Sequence, residues 1–173
     1  MSDIIIRLAT IEDRAFIRSV SQRTWPSTYG HIISQEQIDF MLDWMYSDAS
    51  LADQFNKGHA FYIASLNGED VGFCSVSNEG VEENNKVSNC TSHKLNKLYV
   101  LPIAHGTGSG KALLNKAIEV AKSQGSTSLF LQVNKHNNAY SFYLKNGFVK
   151  EQEFKFEIGN GFFMDDYVMR LSF

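Results

Sequence analysis

The sequence has few cysteines and few prolines: Cys74 and Cys90, Pro26 and Pro102 are all that its 173 residues contain. Two thiols with neither CxxC nor zinc-finger spacing exclude a disulfide framework and a cysteine-based zinc site, so both read as reduced. Long apolar runs are also missing, and none approaches the ~18 residues that a membrane-spanning helix needs. Met1-Ser2-Asp3 followed by Ile4-Ile5-Ile6 lacks the basic segment and extended apolar core of a secretory signal. The expectation is a cytoplasmic protein with no membrane partner, in which the glycosylation-type triplet Asn89-Cys90-Thr91 is idle. Charge of one sign is absent as well: 16 basic against 19 acidic residues leave a formal net charge of -3, which gives no global attraction for nucleic acid. His31, His59 and His136 lack metal-ligand spacing, so no metal is expected. Repeats and low-complexity tracts are not found.

What is present suits one compact domain over residues 1–173, with a hydrophobic fraction of 43%, 13 phenylalanines and 7 tyrosines for an aromatic-rich core. Residues 4–8 are β-branched and read as a first strand. Thr10 with Asp13 forms a variant capping box for a helix whose apolar face is Phe16, Ile17 and Val20, with a break expected at Trp25-Pro26. Ser34 with Gln37 opens a second helix through Ile38, Met41, Leu42 and Met45, and residues 50–57 suggest a short third. From Ala60 the period changes to β, and the Asn67-Gly68 pair between apolar runs signals a hairpin. Residues 78–91, centred on Glu82-Glu83-Asn84-Asn85-Lys86, read as an exposed loop between strands. Strands at 95–100 and 129–133, a helix from Ala112 to about Gly125, a short helix at 137–145 and a hairpin across Gly159-Asn160-Gly161 complete the chain.

The chemistry is concentrated in His105-Gly106-Thr107-Gly108-Ser109-Gly110-Lys111, between a strand and a helix. Unpaired backbone N–H groups and the positive end of the following helix converge there, which makes an anion site. A Walker A loop needs a glycine where His105 stands and Ser or Thr where Ala112 stands. A dinucleotide fingerprint needs GxGxxG after the first strand of a βαβ unit, whereas these glycines are spaced GxGxG late in the chain. Neither template fits, and a merely flexible turn is the bland alternative.

The stretch from Lys97-Leu98-Tyr99-Val100 to Lys111-Ala112-Leu113-Leu114 resembles the acetyl-CoA motif of the GNAT acyltransferases, Gln/Arg-x-x-Gly-x-Gly/Ala, with His105, Gly108 and Gly110 at its fixed positions. His105 departs from Gln/Arg. Asn134-Lys135-His136-Asn137-Asn138-Ala139, then Tyr143-Leu144-Lys145-Asn146-Gly147-Phe148, resembles the second signature of that family. The resemblance implies an α/β (α+β) fold with a central mixed, mostly antiparallel twisted sheet of about seven strands flanked by about four helices. It also implies acetyl-CoA as cosubstrate, bound by Leu98, Tyr99, Val100, His105, Gly106, Thr107, Gly108, Ser109, Gly110, Lys111 and Asn137. By the same resemblance the pantetheine arm lies along the strands at 95–100 and 129–133, the Val100 N–H polarises the thioester carbonyl, and Tyr143 is the general acid. Asn137 is expected to cap its helix, contact CoA, or both.

The family often carries a carboxylate as base on its fourth strand, but the matching residue here is Asn96, which leaves ordered water, with His93 as an alternative. The acceptor site is expected from the first two helices and their connection: Trp25 and Tyr29 as aromatic faces, Glu36 and Asp39 (with Asp43) as carboxylates on one helix face, a set suited to a cationic amine. The pattern across residues 24–51 is similar to bacterial polyamine acetyltransferases of the spermidine/spermine type. Peptide N-termini, amino sugars and antibiotics stay open as acceptors, and the chain is expected to be a monomer or homodimer. The competing readings are a non-catalytic acyl-CoA-binding module, motivated by Asn96, and a P-loop-like nucleotide binder, weakened by Ala112.

Overall fold

The computed structural model describes residues 2–81 and 91–173. Glu82-Glu83-Asn84-Asn85-Lys86, Cys90 and all but the last residue of the Asn89-Cys90-Thr91 triplet lie outside the described residues. Seven strands, β1 (Ile4–Leu8), β2 (Ala60–Leu66), β3 (Glu69–Val81), β4 (Thr91–Val100), β5 (Ser128–Asn134), β6 (Val149–Gly159) and β7 (Phe162–Ser172), form one mixed sheet in the order β1-β2-β3-β4-β5-β7-β6. Five α-helices accompany them: α1 (Arg14–Tyr29), α2 (Gln35–Tyr46), α3 (Asp48–Asn56), α4 (Ser109–Ser123) and α5 (Ala139–Lys145). That is one more than about four. The short third helix is a full element because Ser47 accepts a hydrogen bond from the Ser50 N–H and Leu51 is completely buried.

Packing divides the chain into two compact units, Met1–Ser77 with Asn96–Val120, and Asn78–Leu95 with Ala121–Phe173. In the first unit, β1, β2 and β3 make an antiparallel meander. Its hairpin turns at Asn67 and Gly68, both with positive φ (51° and 87°), the backbone twist a tight two-residue hairpin demands. Thr10 and Asp13 make the capping box that starts the chain toward α1. The core gathers Ile17, Ile38, Leu51, Phe61, Ile63, Phe73, Leu113 and Leu114, all fully buried.

No break occurs at Trp25-Pro26, and residues 25–29 are the last turn of α1 rather than a loop. Proline inside a helix costs ~3 kcal/mol through its lost N–H and its clash with the preceding turn. Here Pro26 and Gln22, whose carbonyl loses its partner, are both exposed, so water replaces the missing bond. Ser21 and Thr24 donate to the carbonyls of Ile17 and Val20, each at 2.8 Å, a back-bonding that lets the helix bend. Trp25 contributes more than either: its side chain is 2% exposed, with ring centroids 5.9 Å from Tyr46 and 6.0 Å from Tyr99. Burial of that indole requires helical geometry at 25 and outweighs the proline penalty. Trp25→Ala is therefore expected to lower the unfolding free energy by ~3–5 kcal/mol, read as a fall in the urea midpoint; a change below ~1 kcal/mol would contradict this account.

In the second unit, β5 lies between β4, parallel from Ser92↔Ser128 to Leu95↔Leu131, and β7, antiparallel from Ser128↔Ser172 to Asn134↔Asp166. β6 pairs with β7 across a turn at Gly159, Asn160 and Gly161, all with positive φ. Leu129, Leu131, Val133, Phe148 and Met169 build its core. Of the loop expected at 78–91, residues 78–81 belong to β3 and Thr91 opens β4, and the rest lies outside the described residues. Polar composition marks solvent exposure, not departure from the ladder, and the sheet carries β3 beyond its apolar stretch.

Candidate active site

The glycine-rich turn follows directly from how β4 ends. Gly72 of β3 lies so close to that end that a Cβ on it would approach the Tyr99 carbonyl oxygen to 2.7 Å, so the absence of a side chain at 72 sets the path of Tyr99 and Val100. Leu101 N–H then donates to Val71 O at 2.8 Å, and a single 3₁₀ turn, Pro102–Ala104, reverses the chain. The His105 imidazole donates through Nε2 to Val100 O at 2.9 Å. Thr107 Oγ1 donates to Ala104 O at 2.6 Å and contacts Ser109 Oγ at 2.8 Å, while Ser109 is wholly buried.

These contacts fix a loop whose own donors point elsewhere. Gly106 and Gly108 have φ of 77° and 94°, the left-handed region that side chains disfavour. The first carbonyl of the helix, Gly108 O, accepts from Ala112 N–H at 2.9 Å, and Ser109 N–H reaches Thr107 Oγ1 at 3.4 Å. Among the described residues no acceptor takes the N–H of Gly106, Gly108 or Gly110. Three donors without an acceptor thus lie at or just before the start of a 15-residue helix, where its positive end is. Free backbone donors, glycines and a helix N-terminus are the features that anion sites use. Lys111 is exposed on the first turn of α4.

At the end of β4, Leu98, Tyr99 and Val100 are half-buried. The Tyr99 and Tyr29 hydroxyls hydrogen-bond at 2.9 Å, and the Trp25 ring packs 4.4 Å from that of Tyr29. Trp25, Tyr29 and Tyr99 are thus brought together, but the indole is buried and the tyrosines carry the polar edge. Tyr46, beneath them, is fully buried, and that burial drives its hydroxyl far above the usual phenol range. Lys97 Nζ donates to Gln54 Oε1 at 2.7 Å and lies 5.4 Å from the centre of the Tyr46 ring. Glu36 and Asp39 are exposed on α2, where Asp39 accepts from Gln35 at 2.9 Å. Asp39 and Asp43 line an open depression with Arg18, Gln22, Leu42 and Tyr46, in which neither Glu36 nor Tyr29 takes part.

In the second unit, the segment after β5 is held by its own asparagines. Asn134 Oδ1 accepts from His136 N–H and Asn137 Oδ1 from Ala139 N–H, each at 2.9 Å, so Asn137 ties down the first turn of α5. Tyr143 is 7% exposed, its ring edge-on to Phe148 at 5.6 Å and to Phe142 at 5.3 Å. Its carbonyl accepts from Asn146 and Phe148 N–H, closing the helix into β6.

His93 is not a surface histidine and does not serve as a base. It is 2% exposed, with Nδ1 2.6 Å from Ser126 Oγ and Nε2 3.1 Å from Gln124 Oε1, so both ring nitrogens are engaged and its role is structural. Asn96 donates through Nδ2 to Ser77 Oγ at 2.9 Å. Asp166, on β7, is 3% exposed, a burial that the sequence reading did not anticipate. A signal for it exists: an acidic residue at an inward position of the strand Phe162–Ser172 breaks its apolar alternation. Burial pushes its carboxyl from 3.8 up to about 6, the charge of Asp165 adds to this, and Lys94 opposes it. A carboxyl with a raised folded-state pKa contributes stability below the unfolded value that is lost as pH rises toward about 6. Asp166→Asn is accordingly expected to raise stability by up to ~3 kcal/mol at pH 7 and to have little effect near pH 3.5, measured as melting midpoints across that range. A midpoint gain independent of pH would contradict the assignment.

The family model described as an acetyltransferase (GNAT) domain matches residues 57–150. A spermidine N(1)-acetyltransferase of Thermoplasma acidophilum is 30% identical over 149 residues, covering 86% of this chain and 89% of that protein. An uncharacterised N-acetyltransferase of Mycobacterium tuberculosis (strain ATCC 25618 / H37Rv) is 30% identical over 158 residues, 88% of this chain and 93% of its own. The crystal structure of the PaiA N-acetyltransferase from Thermoplasma acidophilum, in complex with coenzyme A, superposes with a TM-score of 0.79 at 26% identity over 99% of both chains. With the glycine turn, the Asn134–Phe148 signature and the seven-stranded mixed sheet, these matches establish that the chain belongs to the GNAT family and is an acetyl-CoA-dependent N-acetyltransferase.

Proposed function

We propose that this N-acetyltransferase moves an acetyl group to a primary amine by direct attack, and that the amine belongs to a polyamine. The observation that carries the reading is the set of unclaimed N–H groups at Gly106, Gly108 and Gly110, which suits the diphosphate of the donor. Acetyl-CoA supplies a thioester whose carbonyl accepts the nucleophile and whose thiol leaves. Gly106 to Lys111 hold the diphosphate, with His105 bracing the turn through Val100 O. Leu98 and Tyr99 offer strand backbone to the pantetheine arm, Asn137 contacts the donor, and the Val100 N–H polarises the carbonyl. Tyr143 gives its proton to the departing thiolate, as a phenol of pKa ~10 can. The whole chain, 1–173, acts as one catalytic domain in the cytoplasm.

The polyamine acceptor is favoured by the Thermoplasma relative named a spermidine N(1)-acetyltransferase and by this chain's own surface. Tyr29 with Tyr99 presents hydroxyls and aromatic faces to a cation, backed by the buried Trp25. Glu36 and Asp39 on α2 supply negative charge to the same kind of ligand. A second reading, donor binding without turnover, is favoured by Asn96, an amide engaged with Ser77 at the position where the family often carries a base. An acetylation screen across polyamines, amino acids, peptides and aminoglycosides, read as thiol release, separates them. The expected result is turnover with spermidine or spermine above all others. Coenzyme A binding with no turnover on any amine would establish the second reading instead.

A further inference from the structure

β6 ends the sheet: β7 pairs with it on one side and, among the described residues, no strand pairs with it on the other. It is long for an edge, 11 residues, of which Phe154 and Ile158 alone are as much as half-buried. Unpaired N–H and C=O groups along such an edge are a template for another chain, and proteins commonly blunt them with proline, a bulge or a very short strand. Here the register shifts fall between Lys150 and Gln152 and between Glu157 and Gly159, so Gln152 to Glu157 is a regular stretch with neither proline nor bulge.

We infer that this edge pairs with the same edge of a second copy of the chain, antiparallel about a two-fold axis through Phe154. When identical strands pair in this way, the residue on the axis faces itself, and residues equally far on either side of it face one another. An axis through Phe154 sets Glu153 of each copy against Lys155 of the other, which makes two opposite-charge pairs, and sets Gln152 against Phe156. The neighbouring registers are worse. An axis through Gln152 opposes Glu151 and Glu153, one through Glu153 opposes that residue to itself, and one through Lys155 opposes two lysines. An axis through Phe156 carries the pairing into the bulge at Glu157 and Gly159.

The side chains on both faces suit that register. Glu153 meets Lys135 and Lys150 at 3.7 Å each, beyond hydrogen-bond distance, so its carboxylate has capacity for a closer cation. Lys155 Nζ lies 5.2 Å from the centre of the Phe163 ring, on the same face of the hairpin as Glu153. On the opposite face the rings of Phe154 and Phe156 stack, with centroids 5.0 Å apart at 19°, and Phe156 is 37% exposed. Across the axis Phe154 meets its own copy, and Phe156 lies diagonal to Phe154 of the second copy, within the reach of aromatic cross-strand pairs. Four rings then form one apolar strip where the single chain leaves two rings at an open edge. Because each copy uses up the same strand, the pairing closes at two.

The test is the mass of the full chain by sedimentation equilibrium, expected to be twice that of one chain. Lys155→Glu puts glutamate against glutamate at both pairs, and Glu153→Lys puts lysine against lysine. Each is expected to raise the dimer dissociation constant ~10-fold or more, with the far-UV circular dichroism unchanged. Mixed in equal amounts, the two variants are expected to recover a dimer of near wild-type affinity, since every lysine then faces a glutamate of the other chain. A monomeric wild-type protein would overturn the inference, and so would a dimer indifferent to both reversals, whose interface would lie elsewhere. Weakened variants that do not recover on mixing would overturn it too, because the loss would then come from damage to the hairpin and not from charge pairing across it.

Discussion

Tyr143→Phe is expected to slow acetyl transfer by ~10²-fold or more while leaving coenzyme A affinity and the KM for acetyl-CoA nearly unchanged. The substitution removes one oxygen and its proton. The edge-on contacts with Phe148 and Phe142 are made by carbon and stay, as do the two hydrogen bonds that close α5, which are accepted by the main-chain carbonyl of residue 143. The fold and the diphosphate cradle, built from residues 106–110, therefore keep their geometry. The lost hydroxyl matters only when negative charge develops on the leaving sulfur, so the loss falls on kcat and on kcat/KM alike, the pattern of an interaction made in the transition state. Steady-state kinetics with saturating spermidine check it. Unchanged turnover would take the proton-donor role from Tyr143, and a raised acetyl-CoA KM with kcat intact would make it a binding contact.

How far the sequence reveals this molecule depends on the range of the interaction that decides each feature. The hairpin at Asn67-Gly68 and the closing turn at Gly159-Asn160-Gly161 are readable because positive φ at short range selects those residues. The capped 3₁₀ turn Ile11–Asp13 that leads into α1 and the capped start of α2 are readable for the same reason: Thr10 and Ser34 act on N–H groups two or three residues away. Proline is also a local signal, yet at Pro26 it misleads, because the contacts that hold Trp25 come from Tyr46 and Tyr99, far along the chain. His93 reads as an alternative base because Ser126 and Gln124, which bury and satisfy it, are more than thirty positions distant. Within the candidate site, the glycine turn is legible as a spaced motif, and Tyr143 as the proton donor is an expectation carried by the second signature. The Tyr29–Tyr99 hydroxyl pair and the burial of Asp166 are not legible, since both arise from strand and helix register that composition does not encode.

The glycine turn itself admits a test with an equally large effect. Gly108→Val is expected to weaken coenzyme A binding by ~10²-fold or more, read by calorimetry on the folded variant. At φ of 94° a β-branched residue is strongly disfavoured, so the backbone at 108 must rotate toward an ordinary region. Crowding by protein is not the cause, because the nearest atom to a Cβ there is Ile4 Cδ1 at an ordinary 3.6 Å. Rotation re-aims the Gly108 N–H and the adjoining peptide, and with them the donor proposed for the diphosphate. Two charge-assisted hydrogen bonds lost at ~1.5 kcal/mol each already amount to more than a hundredfold. Gly108 O also receives the first hydrogen bond of α4, from Ala112, so some loss of thermal stability accompanies the change. Gly68→Val separates the two effects: φ there is 87°, with nothing within 4 Å of the added Cβ, so it carries the same backbone strain in a hairpin turn outside the cradle. It is expected to lower the melting midpoint while coenzyme A affinity holds. If both variants lost affinity equally, the loss would reflect general destabilisation, and the diphosphate would have to be placed elsewhere.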